Sequence, residues 1–207
     1  MDLNSEKKII FNYSKQKNKE IHPQAIFLDR DGVINEDCHY IKDPLKVKLC
    51  KGAKSLIRKI FSKGIPIVVI TNQSGISRKI LTWEDYYLVN EKIIEQLGIP
   101  NPISAIYANS HTTTNQGNNW RKPNPHMIIQ ASFDLKINLQ NSILIGDRLT
   151  DLQAGYRAGI KKLIHVMTGH GFKERDKVIS NFKNGISNDV EIILINNLLE
   201  FPFKLLN

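Results

Sequence analysis

The sequence is short of the features that mark several large protein classes. It has two cysteines in 207 residues, Cys38 and Cys50, and no C-x-x-C pair. That excludes a four-thiolate zinc site and a disulfide framework, and both residues read as reduced thiols. No apolar run approaches the roughly 18–20 residues that span a bilayer. The first twenty residues are rich in lysine and asparagine and lack the apolar core of a secretion signal. A cytoplasmic location with no membrane partner is therefore expected. There is no G-x-x-x-x-G-K-[ST] loop, no internal repeat and no low-complexity linker. Acidic residues are outnumbered, Asp+Glu 20 against Lys+Arg 29, for a formal net charge of +9. The lysines are scattered rather than gathered into a stripe with interleaved aromatics. A solvated basic surface is expected, and a nucleic-acid partner is not.

What is present is the balance of a globular domain, 41 % hydrophobic and 24 % charged. Short apolar runs at residues 25–28, 65–70, 142–145 and 162–166, with a weaker one at 104–108, each end at or within two residues of a polar side chain. Such runs suit strands buried on both faces. Between them, residues 53–61, 83–97, 125–135 and 149–158 place apolar side chains at helical spacing. Thr82 is a candidate N-cap, and Pro125 follows Asn124 at a first helical position. Alternating strands and helices predict a three-layer, Rossmann-like α/β fold, a parallel sheet with helices on both faces. One domain over residues 24–207 is expected, with a monomer favoured. Residues 1–23 form a polar extension whose one apolar patch is Ile9-Ile10-Phe11, and no element is predicted there.

In open α/β sheets, ligands bind at the carboxyl ends of the strands. The candidate strands end in Asp29 with Asp31, Thr71 with Asn72, and Asp147. Alternation points the carboxylates of Asp29 and Asp31 to the same side. One carboxylate can attack phosphorus, and the other can protonate the departing alkoxide and then activate water. Asp29, Asp147 and a phosphate cannot share a crevice without cations, and hard, oxygen-liking Mg²⁺ is the natural bridge. Thr71 and Asn72 supply hydrogen-bond donors, and Lys122 supplies a cation just before a helix. Asp151, one turn after Asp147, either orients the metal shell or simply suits a helix N-terminus.

Four segments taken together resemble the haloacid dehalogenase superfamily in its histidinol-phosphatase-related branch. They are Phe27-Leu28-Asp29-Arg30-Asp31-Gly32-Val33-Ile34-Asn35, Thr71-Asn72-Gln73-Ser74-Gly75-Ile76, Arg121-Lys122-Pro123 and Gly146-Asp147-Arg148-Leu149-Thr150-Asp151. The resemblance implies a phosphatase with Asp29 as nucleophile and Mg²⁺ ligand. Asp31 would be the acid/base and would ligate through its main-chain carbonyl, with Asp147 as third ligand. It implies that Thr71 and Lys122 stabilise the phosphoryl group. Substrate contacts would come from Asn72, Gln73, Ser74 and Arg121, and from the segment Asp37-Cys38-His39-Tyr40. Arg148 stands where the family usually has lysine, so a cation is kept with altered geometry. A small phosphorylated sugar is the implied substrate class, with histidinol phosphate or a polynucleotide 3′-phosphate as alternatives. A non-catalytic binding protein of the same fold would have a broken catalytic position, and none is broken.

The family usually builds a zinc loop before its third motif from three cysteines and a histidine. Here residues 109–120 offer His111 alone, so zinc is not expected and Trp120 is the candidate for ordering the loop. The spacing between Asp31, Thr71 and Arg121 leaves no room for a cap domain.

Overall fold

The computed structural model describes residues 5–11, 22–113, 119–183 and 189–206. Its centre is a seven-stranded sheet in the order β1-β4-β3-β2-β5-β6-β7. The strands are β1 (Glu6–Ile10), β2 (Ile26–Leu28), β3 (Ile67–Asn72), β4 (Ala105–Asn109), β5 (Ile143–Gly146), β6 (Lys162–Val166) and β7 (Glu191–Ile195). Every neighbouring pair is parallel except β1 with β4.

Side-chain alternation divides these strands cleanly between two cores. Ile26 and Leu28, Ile67 and Val69, Ile106, Ile143 and Ile145 face α1 (Ala53–Ser62), α3 (Trp83–Leu97) and the C-terminal turns. Phe27, Val68, Ile70, Tyr107 and Leu144 face α4 (His126–Leu135), α5 (Leu149–Arg157) and α6 (Gly171–Lys183). A strand buried on both faces needs apolar residues at both parities, which is why these runs are continuous rather than alternating. The remaining helix, α2 (Ser74–Ser77), is a single turn after β3. The three-layer expectation holds, and no cap domain is present among the described residues. Nor is any helix among them long and apolar enough to cross a membrane.

The polar extension needs one correction. Residues 6–10 are not an unstructured tail but an edge strand, with Glu6 opposite Asn109 and Ile10 opposite Ala105. Residues 1–4 and 12–21 lie outside the described residues. Both cysteines are free, and burial pushes the Cys50 thiol up to about 12.

The strand order positions the site. The chain runs from β2 outward through β3 to β4, then returns to place β5 on the other side of β2. That reversal opens a crevice at the carboxyl ends of β2 and β5, where Asp29 and Asp147 emerge. The Asp29 amide donates to the Ile145 carbonyl at 3.0 Å, locking the two strand ends together.

Candidate active site

A cavity of about 480 Å³ sits at this switch point. On its floor Asp29 accepts the Arg30 amide at 2.7 Å and the Lys122 ammonium at 2.9 Å, both on Oδ1. Lys122 Nζ also meets Asp151 Oδ1 at 2.7 Å and donates to the Ile70 carbonyl at 3.0 Å. All three side chains are buried. Burial alone would lower the Lys122 pKa, but Asp151 and Asp29 more than offset it and hold it above its ordinary value. The lysine is therefore a fixed cation.

Asp147 lies beneath this floor, fully buried, with Oδ1 lacking any hydrogen-bond partner. Its Oδ2 accepts the His170 amide at 2.7 Å. Two glycines at positive φ make room for it. A Cβ on Gly32 or Gly169 would lie 2.4 Å or 2.3 Å from Asp147 Oδ2. Burial, then Asp151, then Asp29 push the Asp147 pKa up to about 9, and burial pushes Asp29 up to about 7 against the pull of Lys122. Ligand oxygens of Asp29, Asp147 and Asp151 lie within 4.8 Å of one another. Crowded carboxylates, one with an orphaned buried oxygen, fit a hard divalent cation such as Mg²⁺. Asp151 also caps α5, accepting the Arg148 amide at 3.0 Å, as expected of an acid at a helix N-terminus.

The Asp31 carboxylate is outside that set. It accepts from Arg30 Nη2 at 2.9 Å, Asn35 Nδ2 at 3.0 Å and Gln73 Nε2 at 2.8 Å. Burial raises its pKa, but the Arg30 charge and these hydrogen bonds prevail and hold it below the usual carboxylate range. Arg30 is itself buried, stacked 5.2 Å over Tyr86 and bonded to Asn90 of α3. Its place between two acids in the sequence gave no sign of this clamp.

The second-motif residues work partly on their neighbours. Gln73 Nε2 also donates to Thr71 Oγ1 at 2.8 Å. Asn72 pairs reciprocally with the Lys122 backbone, accepting its amide at 3.1 Å and donating to its carbonyl at 3.3 Å. Both still line the cavity, as do Thr71 and Ser74. Of the segment expected to contact substrate, Asp37, His39 and Tyr40 line the cavity and Cys38 does not; its side chain is exposed.

The rim is cationic. Arg121 and Arg148 line it with Arg78, a residue the motif pattern had not singled out. Burial first, then the charges of Arg78 and Arg148, lower the Arg121 pKa, which places the three guanidinium groups in one field. Arg121 donates to the His111 carbonyl at 2.8 Å and Arg78 to the Tyr40 hydroxyl at 3.0 Å. His170, also absent from the sequence-based set, reaches Asp37 at 2.7 Å.

The loop before Lys122 is tied down at both ends by polar groups and packing. Glu6 of β1 accepts the Trp120 amide at 2.8 Å and lies 3.6 Å from His111. Trp120 packs on Tyr107 at 5.7 Å between ring centroids. Asn119 is buried, accepting the Arg121 amide at 2.9 Å and donating to the Thr113 carbonyl at 3.1 Å. Residues 114–118 lie outside the described residues. Behind the site, His165 is wholly buried. Arg175 donates to its Nδ1 at 2.9 Å, so Nε2–H donates to the Asp147 carbonyl at 3.0 Å.

A family model described as haloacid dehalogenase-like hydrolase matches residues 3–165. The chain belongs to this family. Among its relatives, the D-glycero-beta-D-manno-heptose-1,7-bisphosphate 7-phosphatase of Mesorhizobium japonicum is 38 % identical over 146 residues, 67 % of each chain. The D-glycero-alpha-D-manno-heptose-1,7-bisphosphate 7-phosphatase of Campylobacter jejuni is 33 % identical over 78 % of this chain and 91 % of its own length. Among solved structures, the D,D-heptose 1,7-bisphosphate phosphatase from B. bronchiseptica, complexed with magnesium and phosphate, superposes with a TM-score of 0.74. It shares 27 % identity over 89 % of this chain and 98 % of that one.

Proposed function

We propose that the chain is a Mg²⁺-dependent phosphomonoesterase that removes the 7-phosphate of D-glycero-D-manno-heptose 1,7-bisphosphate through a phospho-aspartate on Asp29. One observation carries the reading. A single cavity combines a carboxylate–lysine floor with a rim of three arginines, Arg78, Arg121 and Arg148. The floor suits a phosphoryl group under attack, and the rim suits a second phosphate on the same molecule. The relatives' names supply the sugar; they include both anomers, and either is compatible with this rim.

Asp29 attacks phosphorus, while Lys122 and the Thr71 hydroxyl stabilise the transferring oxygens. Lys122 is already bonded to Asp29, so it neutralises the nucleophile and the incoming phosphoryl group without moving far. Asp29, Asp147 and Asp151, with the main-chain carbonyl of Asp31, would hold Mg²⁺, which when bound offsets the charge of carboxylates and phosphate. Asp31 carries the proton. The Arg30-clamped anion is the form that accepts a proton from water during hydrolysis of the phospho-enzyme. The proton taken there is the one that its carboxyl, turned from Arg30 to the substrate oxygen, gives to the leaving alkoxide in the first step of the next turnover. Gln73, bonded to both Asp31 and Thr71, keeps these two groups in register.

A cationic rim disfavours histidinol phosphate, whose amine would face three guanidinium groups. The test is phosphate release, in Mg²⁺, from heptose 1,7-bisphosphates of both anomers, hexose bisphosphates, histidinol phosphate and 3′-phosphorylated DNA. The highest kcat/KM is expected for a heptose bisphosphate with the 1-phosphate left intact. A preference for DNA or histidinol phosphate by orders of magnitude refutes the assignment.

A further inference from the structure

Two segments meet at the mouth of the cavity, the loop following Asp31 and the turn following β6. Asp37 from the first and His170 from the second are joined by a 2.7 Å contact between Oδ2 and Nε2. His39 Nδ1 lies 3.7 Å from Asp37 Oδ1, and the two imidazoles stack with centroids 6.0 Å apart. One ligand atom from each of the three residues lies within 4.8 Å of the others.

We propose that Asp37, His39 and His170 form a second divalent-cation site, selective for a borderline-soft ion such as Zn²⁺ and separate from the carboxylate floor. The donor types sort the metals. Two imidazoles and one carboxylate suit zinc or its transition-metal neighbours, whereas the all-oxygen floor suits Mg²⁺. Adjacent donors on a tetrahedral zinc lie about 3.3 Å apart, given bond lengths of about 2.0–2.1 Å. The 2.7 Å pair on Asp37 Oδ2 would open by about 0.6 Å, while His39 Nδ1, 3.7 Å from the other oxygen Oδ1, would turn toward the same ion.

The framework permits these small moves. His170 is anchored through its backbone amide to Asp147, which fixes one ligand. The His39 side chain is 83 % exposed, with the His170 ring as its stacking neighbour, and has room to turn. His39 and Tyr40 both hold positive φ, at 47° and 60°, a conformation unfavourable for a residue with a Cβ. The loop accepts that cost in folding back so that the His39 ring lies near Asp37, and its amide donates to Asp37 Oδ1 at 2.9 Å. Arg148, 4.0 Å from Asp37, is half exposed and can withdraw. All three ligands line the cavity, so the fourth position faces solvent or a bound anion. The zinc that the sequence argued against belonged to residues 109–120; this set draws on other segments. It does not depend on the reaction assigned to Asp29.

The test is calorimetric titration of Zn²⁺ into the full chain at saturating Mg²⁺, with Co²⁺ absorption as a report of imidazole ligation. One zinc per chain is expected, with His39→Ala and His170→Ala each weakening binding by about tenfold or more. His111→Ala is expected to bind as wild type does. No zinc uptake at Mg²⁺ saturation, unchanged affinity in both rim variants, or loss of binding in His111→Ala each overturns the site.

Discussion

Replacing Gly32 with alanine should damage the proposed Mg²⁺ site far more than it damages the fold. Gly32 has φ +85°, and an added Cβ would lie 2.4 Å from Asp147 Oδ2 and 3.0 Å from the Gly169 Cα. The left-handed backbone costs about 1–2 kcal/mol. Restricting the unfolded chain returns about 0.4–1 kcal/mol. Gly64 isolates this part, because it has φ +70° and nothing within 4 Å of its would-be Cβ. Gly64→Ala should therefore lose about 1 kcal/mol and no activity. Gly32→Ala adds the collision. Asp147 is fully buried, so relief of nearly 1 Å must come from shifting its carboxylate or the Gly32 turn. A displacement of about 1 Å in a catalytic constellation costs on the order of 10²-fold in rate. Denaturant unfolding of both variants, with Mg²⁺ titrations and turnover, separates the two effects. Equal stability losses, with wild-type Mg²⁺ affinity and turnover in Gly32→Ala, would show that the added Cβ is accommodated without displacing Asp147.

Three further outcomes follow from the same geometry. Lys122→Met should keep its shape but lose at least about 10²–10³-fold in kcat, since it removes the cation shared by Asp29 and Asp151; a near-normal kcat would contradict its role. Asp29 and Asp147, raised to about 7 and about 9, hold protons in the metal-free fold that the unfolded chain has already released. Metal-free stability should therefore fall as pH rises from about 4 toward 9, and Mg²⁺ should bind more tightly with rising pH, expelling protons; calorimetry in buffers of different ionisation enthalpy reads the proton count, and none released near pH 7 would contradict it. His165→Leu should cost about 1–3 kcal/mol in thermal or chemical unfolding, because it strands both Arg175 and the Asp147 carbonyl; a neutral effect would show that the relay is dispensable.

The site was legible wherever a strand ends in its functional residue. Asp29, Thr71 and Asp147 could be found because each closes an apolar run, and parallel pairing then brings the strand ends together. Lys122 was legible through its motif, although its three partners come from the residue after β2, from β3 and from α5. Less was visible where non-local contacts decide. Strand β1 has a weak pattern and is held by pairing with β4 nearly a hundred residues away, with Glu6 reaching the Trp120 loop. Helix α6 is mostly polar, and Val178 is its buried anchor in the second core. Arg78 sits in an unpatterned loop, and nothing in the order Asp29-Arg30-Asp31 marks Arg30 as a clamp. His165 lies within an apolar strand, where only the arrival of Arg175 and the Asp147 carbonyl gives it a purpose. Cys38 shows the reverse error: adjacency to Asp37 and His39 did not bring its side chain into the cavity.

If Asp29 forms the bond to phosphorus, turnover passes through a phospho-aspartate at that residue. The most direct measurement is Mg²⁺-dependent phosphate release from heptose 1,7-bisphosphate by wild type and Asp29→Asn, with peptide mapping of enzyme quenched during turnover. Wild type is expected to carry a labile phosphate on the peptide containing Asp29, and Asp29→Asn to release no phosphate above background. Turnover by Asp29→Asn at a wild-type rate, or label on a different residue, would contradict it.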